Sequence, residues 1–446
     1  MPDRRKPFYC VRVLAIAGIV VFPAWPQTLT NLVTFDGSNG AACYGSLLQG
    51  TDGYFYGTTS LGGAYNHGTI FKMDSTGTLT TLHSFRAADG QNPYAVLIQS
   101  TDGNFYGTTW IGGADSRGTV FRMTPQGVLT TLHSFDGTDG SFPTAPLLEA
   151  TNGNFYGVTE SGGNRCGTGS CGTIFEITPA GELTTLVSFD GHNGEQPYSA
   201  LIQGTDGNLY GTTAKGGGQG SVFRMTLQGT LTTLHRFNGT GGANPFGGLA
   251  QGLDGELYGT TMQGGANPCP PYIGCGTIFR ISTHGAFFQL HSFDGSDGKY
   301  PEAAMTLASD GNFYGITSEG SWIFQFTQGG ALTTLPGTAS IAPLIQGTDG
   351  KFYGTSTGSV FSLDTGLGPF VKTLPTSGKV GTAVTILGTT LTGATSVTFN
   401  GTPAAFTVVS ATRISTAVPT GASSGAVSVS TPGGNLRSNP GFLVRP

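Results

Sequence analysis

Beyond an apolar run near the N-terminus, the chain never shows the periodicity of an amphipathic helix. Apolar and polar residues alternate instead in short runs, each cut off by a glycine pair or an Asp-Gly or Asn-Gly step. In one stretch these runs cover Ala95 to Gln99, Asn104 to Thr109, Thr119 to Met123 and Val128 to Phe135. Turns fall between them at Asp102-Gly103, at Gly112-Gly113 and at Pro125 to Gly127. Thr, Val, Ile, Phe and Tyr suit a pleated, half-buried surface. Asp-Gly supplies the positive φ that a tight hairpin needs. The pattern predicts four consecutive antiparallel strands.

The same unit recurs. Tyr-Gly stands at Tyr56, Tyr106, Tyr156, Tyr210, Tyr258, Tyr314 and Tyr353, at spacings of 50, 50, 54, 48, 56 and 39 residues. An Asp or Asn precedes each: Asp52, Asp102, Asn152, Asp206, Asp254, Asp310 and Asp349. Each is followed by an Ile/Val-Phe-type pair ending at Phe71, Phe121, Phe175, Phe223, Phe279, Phe324 or Phe361, and then in most units by a Leu-Thr-Thr-Leu-type segment. Four strands repeated seven times predict an all-β, seven-bladed β-propeller over residues 28–368. A solenoid of hairpins would need capping repeats, and none is visible. Leu29 to Phe35 is a fourth strand without a preceding unit, and the last unit lacks one. The N-terminal strand is therefore expected to complete the last blade and hide its edge. Pro369 to Leu374 competes for that place and is assigned to the next domain.

Asp-Gly-Asn-Phe-Tyr-Gly-Thr-Thr, then Gly-Gly, then Gly-Thr-Ile/Val-Phe, resembles the GloVer tandem repeat of secreted, choice-of-anchor-type bacterial proteins. Units six and seven depart from it, the glycine pair being reduced near Gly320 and absent after Thr357. The rhythm is also similar to that of streptogramin-lyase-type propellers, but no catalytic residue carries over. Residues 369–446 change in texture. Pro375, Gly378, Gly381, Gly388, Leu391, Ala394, Val397, Phe399, Gly401, Ala404, Val418, Pro419 and Gly425 follow the TIG/IPT pattern in order and spacing. That resemblance implies a small Ig-like β-sandwich serving as spacer or interaction module.

Composition narrows the class. Glycine is 75 of 446 residues, far above the usual ~7%, yet no Gly-x-y period exists, which excludes collagen. Aromatic residues at 11% exclude a disordered chain. A net charge of −5 speaks against nucleic acid as partner. Arg4, Arg5, Lys6 and Arg12 before the apolar run Val13 to Phe22 read as a signal peptide over residues 1–26, too short to span a membrane. No span is expected in the mature chain, which is expected to be secreted or at the cell surface and monomeric.

Candidate chemistry is sparse. Cys166 with Cys171, and Cys269 with Cys275, sit in equivalent insertions and are expected to form two local disulfides, with Cys43 left single and buried. G-x-G-x-x-G at 167–172 and G-x-S-x-G at 421–425 lack the following helix that would make them functional. His83, His133, His235 and His291 recur at one strand position and belong to the repeat, not to a metal site. The Asp-Gly-x-Asp-Gly connections at Asp36, Asp136, Asp190 and Asp294 read as Asx turns rather than calcium loops. No catalytic residue, metal or cofactor is expected. The least repetitive side chains lie on the face of the blade connections: Trp110, Asp115, Arg117, Glu160, Arg165, Lys215, Tyr272 and Glu319. They are the candidate ligand contacts, because function concentrates on loops held by a rigid scaffold. The expected role is a non-catalytic binding or structural protein whose partner is an extracellular glycan or protein. The alternative is an extracellular propeller enzyme, a lyase or a glycan-active one.

Overall fold

A computed structural model describes residues 27–163, 171–320, 322–338 and 340–445. The expected signal peptide lies outside them. All regular structure among the described residues is β. Seven four-stranded antiparallel sheets follow one another as blades, each running from the axis outward. Blade 1 holds Leu48–Gln49, Phe55–Thr59, Thr69–Met73 and Leu79–Ser84. Blades 2 to 6 repeat it from Ile98–Gln99 to Leu129–Ser134, Leu148–Glu149 to Leu183–Ser188, Ile202–Gln203 to Leu231–Arg236, Ala250–Gln251 to Phe287–Ser292 and Thr306–Leu307 to Leu332–Pro336. Blade 7 holds Ile345–Gln346, Phe352–Ser356 and Ser359–Asp364, and its outermost strand is Thr28–Thr34. That N-terminal strand runs antiparallel to Ser359–Asp364, with Thr28 opposite Asp364.

The Tyr-Gly motif packs the blades together. In blade 1 a Cβ on Gly57 would lie 2.5 Å from the ring of Phe71 and 2.9 Å from Leu47. Only glycine lets the third-strand phenylalanine and the inner leucine close over the second strand. The neighbouring Tyr56 reaches sideways and stacks on Phe105 of blade 2, with ring centroids 4.2 Å apart. Tyr106–Phe155, Tyr258–Phe313 and Tyr314–Phe352 repeat the contact at 4.1 to 4.4 Å. Phe55 of blade 1 on Tyr353 of blade 7, at 4.0 Å, closes the ring. Each such aromatic pair is worth roughly 0.5–1.5 kcal/mol beyond the area it buries. Leu209 and Leu257 replace the phenylalanine where blades 4 and 5 receive Tyr156 and Tyr210.

Buried tyrosines need a partner for the hydroxyl. Tyr56 donates to Asp52 Oδ2 at 2.7 Å, and Tyr106, Tyr210, Tyr258, Tyr314 and Tyr353 donate to the corresponding aspartates. In blade 3 Asn152 takes the aspartate's place and its amide donates to the tyrosine oxygen, so Tyr156 turns its own proton to Glu176 at 2.9 Å. A second set of bonds spans the blades. The side-chain oxygen of Gln99 accepts from Thr51 N–H, that of Gln203 from Thr151, and that of Gln251 from Thr205. Gln49 accepts from Thr348 N–H at 3.0 Å across the closing junction.

The recurrent histidines belong to the frame. His83, His133 and His291 meet Asp89, Asp139 and Asp297 of their own connecting turns at 3.2, 2.6 and 2.7 Å. His235 lacks that partner and lies flat on Phe287 at 3.8 Å. The connecting aspartates accept backbone N–H groups, Asp36 Oδ1 from Ser38 and Asn39, which is the Asx-turn arrangement. Cys269 and Cys275 form a disulfide, while Cys43 is a buried free thiol pushed up to about 12 by burial. Cys166, Arg165 and most of the 167–172 motif lie outside the described residues; Cys171 is buried.

The C-terminal part is a two-sheet sandwich, one sheet holding Ala383–Leu387 and Arg413–Ala417, the other Ser396–Phe399 and Val427–Thr431. Val384, Ile386, Val397, Phe399, Ile414 and Val429 fill its core. Ser423 of the 421–425 motif accepts a hydrogen bond from Asn400 in an irregular loop. The sandwich sits against the propeller. Phe370 N–H donates to Thr348 O, Asn439 Nδ2 donates to Ala308 O, and the ammonium of Lys372 donates to Gln346 O. Between the two lies a cavity of about 260 Å3 lined by residues of both, among them Leu344, Phe370, Lys372 and Pro440.

Two outcomes follow from this frame. Deleting 27–34 removes the outermost strand of blade 7 and exposes the edge of Ser359–Asp364; size-exclusion chromatography should show oligomers, and the melting temperature should fall. Lys372 is partly buried, and burial lowers its pKa to about 8, against 10.5 when exposed. Below pH 8 folded and unfolded chains are both protonated, and the fold bears the cost of a buried ammonium. Between these values the folded state releases its proton first, so stability rises with pH. Lys372→Met should therefore stabilise the protein near neutrality by at most about 3 kcal/mol, with the gain gone above pH 10.5, as read by denaturant melts across pH.

Candidate functional site

Among the described residues, six connections enter the axis through a residue with positive φ that is not glycine: Ala42, Asn92, Phe142, Gln196, Asn244 and Tyr300, all between 52° and 59°. Such a conformation is costly for bulky residues and persists only where neighbours fix it. In five of them both backbone groups of the residue are bound. Asn92 N–H donates to His67 O of blade 1, and its carbonyl accepts from Trp110 N–H of blade 2. Phe142, Gln196, Asn244 and Tyr300 repeat both bonds. The kink aims the second residue after it, Tyr44, Tyr94, Thr144, Tyr198, Phe246 or Glu302, at the axis. A threonine of the preceding blade then fixes the segment: Thr58 Oγ1 donates to Ala95 O at 3.0 Å and Thr260 to Ala303 O at 3.1 Å, with Thr355 to Gly45 O across the ring closure at 2.8 Å.

These residues surround a funnel of about 490 Å3. Every blade contributes to its wall, which places it on the ring axis. It opens on the side of the blade connections and of the loops between second and third strands. Tyr44 and Tyr94 pack at 5.4 Å, Tyr94 and Trp110 meet edge to face at 5.4 Å, and Tyr198 packs on Phe246 at 5.1 Å. Glu160 is held from two sides: Tyr198 OH donates to Oε1 at 2.7 Å, and Trp110 Nε1 to Oε2 at 3.4 Å. Burial, followed by the bond to Glu160, pushes the Tyr198 hydroxyl well above its usual range. Glu302, from blade 6, also lines the wall. Burial raises its carboxyl pKa, the bond to Ser318 lowers it, and nearby Glu319 raises it further. Thr144 Oγ1 is shielded from solvent there and has no hydrogen-bond partner among the described residues.

Of the eight candidate contacts, the structure brings Trp110 and Glu160 into the funnel. Asp115, Arg117, Lys215 and Glu319 are exposed and do not line it. Arg117 donates to Ser141 Oγ at 3.4 Å, and Glu319 faces Lys299 at 3.9 Å. Tyr272 lies on the disulfide insertion against Tyr300, at 5.0 Å. Arg165 is outside the described residues. Trp110 and Glu160, far apart in the chain, meet there: Trp110, Glu160 and Tyr198 touch, and Glu302 shares their cavity. Sequence reasoning passed over Tyr44, Tyr94, Thr144, Tyr198, Phe246 and Glu302. Their signal is a single varying position after Cys43, Pro93, Pro143, Pro197, Pro245 and Pro301, inside segments that otherwise repeat. Among the described residues no group of His, Cys, Asp and Glu is arranged to hold a metal ion.

The fold and funnel define a seven-bladed propeller with an axial pocket, followed by an Ig-like sandwich. The chain belongs to the Gloeobacter/Verrucomicrobia repeat family, whose model matches residues 18–168 and 149–331. The IPT/TIG domain model matches residues 369–444. No curated protein sequence matches the chain. Among solved structures it is similar to a streptogramin B lyase, at 17% identity and TM-score 0.56 over 76% of this chain and 97% of that one. A catalytically inactive virginiamycin B lyase from Staphylococcus aureus with quinupristin matches at 17% and 0.56, over 76% and 99%. The extracellular domain assigned to a hybrid two-component system of B. thetaiotaomicron matches at 10% and 0.54, over 94% and 57%. At such identities the likeness is one of fold.

The raised carboxyl of Glu302 gives a stability test. Its folded pKa lies above the unfolded 4.5, so the folded state holds its proton longer and stability falls as pH rises through that window. Glu302→Gln should melt higher than the parent near neutrality, with no difference below pH 4.5. Thermal melts at both pH values check it.

Proposed function

We propose that this is a secreted or cell-surface binding protein that captures a carbohydrate in the axial funnel, without transforming it. One observation carries the reading: the funnel position varies around the ring, and there Tyr44, Tyr94, Tyr198 and Phe246 bring aromatic rings into one cavity with Glu160 and Glu302. Sugars combine an apolar face, which stacks on Tyr or Trp, with hydroxyls that donate to carboxylates. The paired, rigidly held Glu160 and Trp110 match both needs. A funnel built on kinked, doubly bonded backbone is pre-organised and loses little freedom on binding. The sandwich domain, bonded to the opposite ends of the inner strands near Gln346 and Ala308, leaves the funnel mouth open and suits a spacer.

A glycan array probed with the mature protein tests this. Trp110→Ala should weaken the best hit by about tenfold or more, as for a buried aromatic anchor. Asp115→Ala, off the funnel, should leave it unchanged. Binding lost through Asp115→Ala but not Trp110→Ala would put the site elsewhere, and turnover of the bound glycan would make the protein an enzyme.

A further inference from the structure

The funnel's charge says more about the ligand than its rings do. Glu160 and Glu302 are the charged side chains of its wall, and no Lys, Arg or His lines it among the described residues. Glu160 receives two neutral donors, Tyr198 and Trp110, which orient it without cancelling its charge. Glu302 stands where the other blades carry Tyr44, Tyr94, Thr144, Tyr198, Phe246 and Ile341, in a partly buried place that disfavours its ionised form. Withdrawing carboxylates from water without a counter-ion costs stability. The aromatic faces add to the same field, because a ring presents its negative face to whatever lies over it. An anion would be repelled, and a neutral guest would leave both carboxylates uncompensated.

We infer that the axial funnel selects a cation, and, resting on the carbohydrate reading above, that its ligand is an amino sugar with a free, protonated amine. The ammonium lies between Glu160 and Glu302, with the sugar ring against the aromatic wall.

Calorimetric titration of the full mature chain with a glucosamine tetramer and with its fully N-acetylated counterpart tests the inference. The two probes share chain length and ring faces; one carries free amines and the other neutral acetamides. The amine form should bind about tenfold or more tightly, the size expected of a partly desolvated ion pair with ring contacts. That advantage should shrink with added salt. Glu302→Gln, checked for folding by its melting curve, should lose the preference while still binding the acetylated form. Equal affinity for the two probes, or a preference indifferent to salt, would overturn the cation inference and leave the carbohydrate reading standing. Binding of neither probe would overturn both.

Discussion

Everything in this molecule depends on the side-by-side contact between second strands of adjacent blades. A single four-stranded sheet has two apolar faces and nothing of its own to cover them. Tyr56 on Phe105, and its repeats around to Phe55 on Tyr353, cover each blade with the next. The glycine after each tyrosine allows the rings of Phe71 and its equivalents to lie close above the strand. The aspartate four residues earlier satisfies the tyrosine hydroxyl that this burial would otherwise strand. The three conspicuous residues of the repeat are thus one device, and the ring is stable only when the last copy meets the first.

That device was legible in the sequence because it is written seven times. Repetition separates the residues the fold needs from those that drift, so strand number, blade number and the outermost role of Leu29 to Phe35 could be read from spacing. The sandwich was legible for a different reason, its glycines and apolar residues falling at a familiar spacing. The candidate site was legible only in part. Trp110 and Glu160 stand out because nothing like them recurs at their position. Tyr94, Tyr198 and Glu302 escaped notice because they precede inner strands of two residues each, too short for alternation to say which side chain faces the axis. The positive φ at Asn92, Gln196 and Tyr300 decides that direction, and no residue type announces it. Asp115, Arg117, Lys215 and Glu319 were drawn in by the opposite bias. Long loops attract attention, while this pocket is built on short, tightly bonded segments.

The funnel also shows how a symmetric scaffold acquires an asymmetric site. Backbone bonds at the axis are nearly the same in six blades, so one position per blade is free to vary without disturbing the frame. Changes there cost little stability, because the ring is held by contacts farther out. Tyrosine, threonine, phenylalanine, glutamate and isoleucine all occupy it. The blades serve as seven equivalent mounts, and the character of the funnel wall is a matter of what each one carries.

The pairing of Thr28 with Asp364 has a mechanical consequence. The strands are antiparallel, so the chain arrives at and departs from the propeller at the same end of the same sheet. Tension between whatever precedes Thr28 and the sandwich after Asp364 would not stretch the ring. It would pull two neighbouring strands apart from that shared end, breaking their hydrogen bonds one after another instead of all together. Peeling of this kind resists far less force than shearing the same bonds at once. The seal that completes the closed ring is also the place where a pulled molecule would first come undone, with the other six blades carrying almost none of the load.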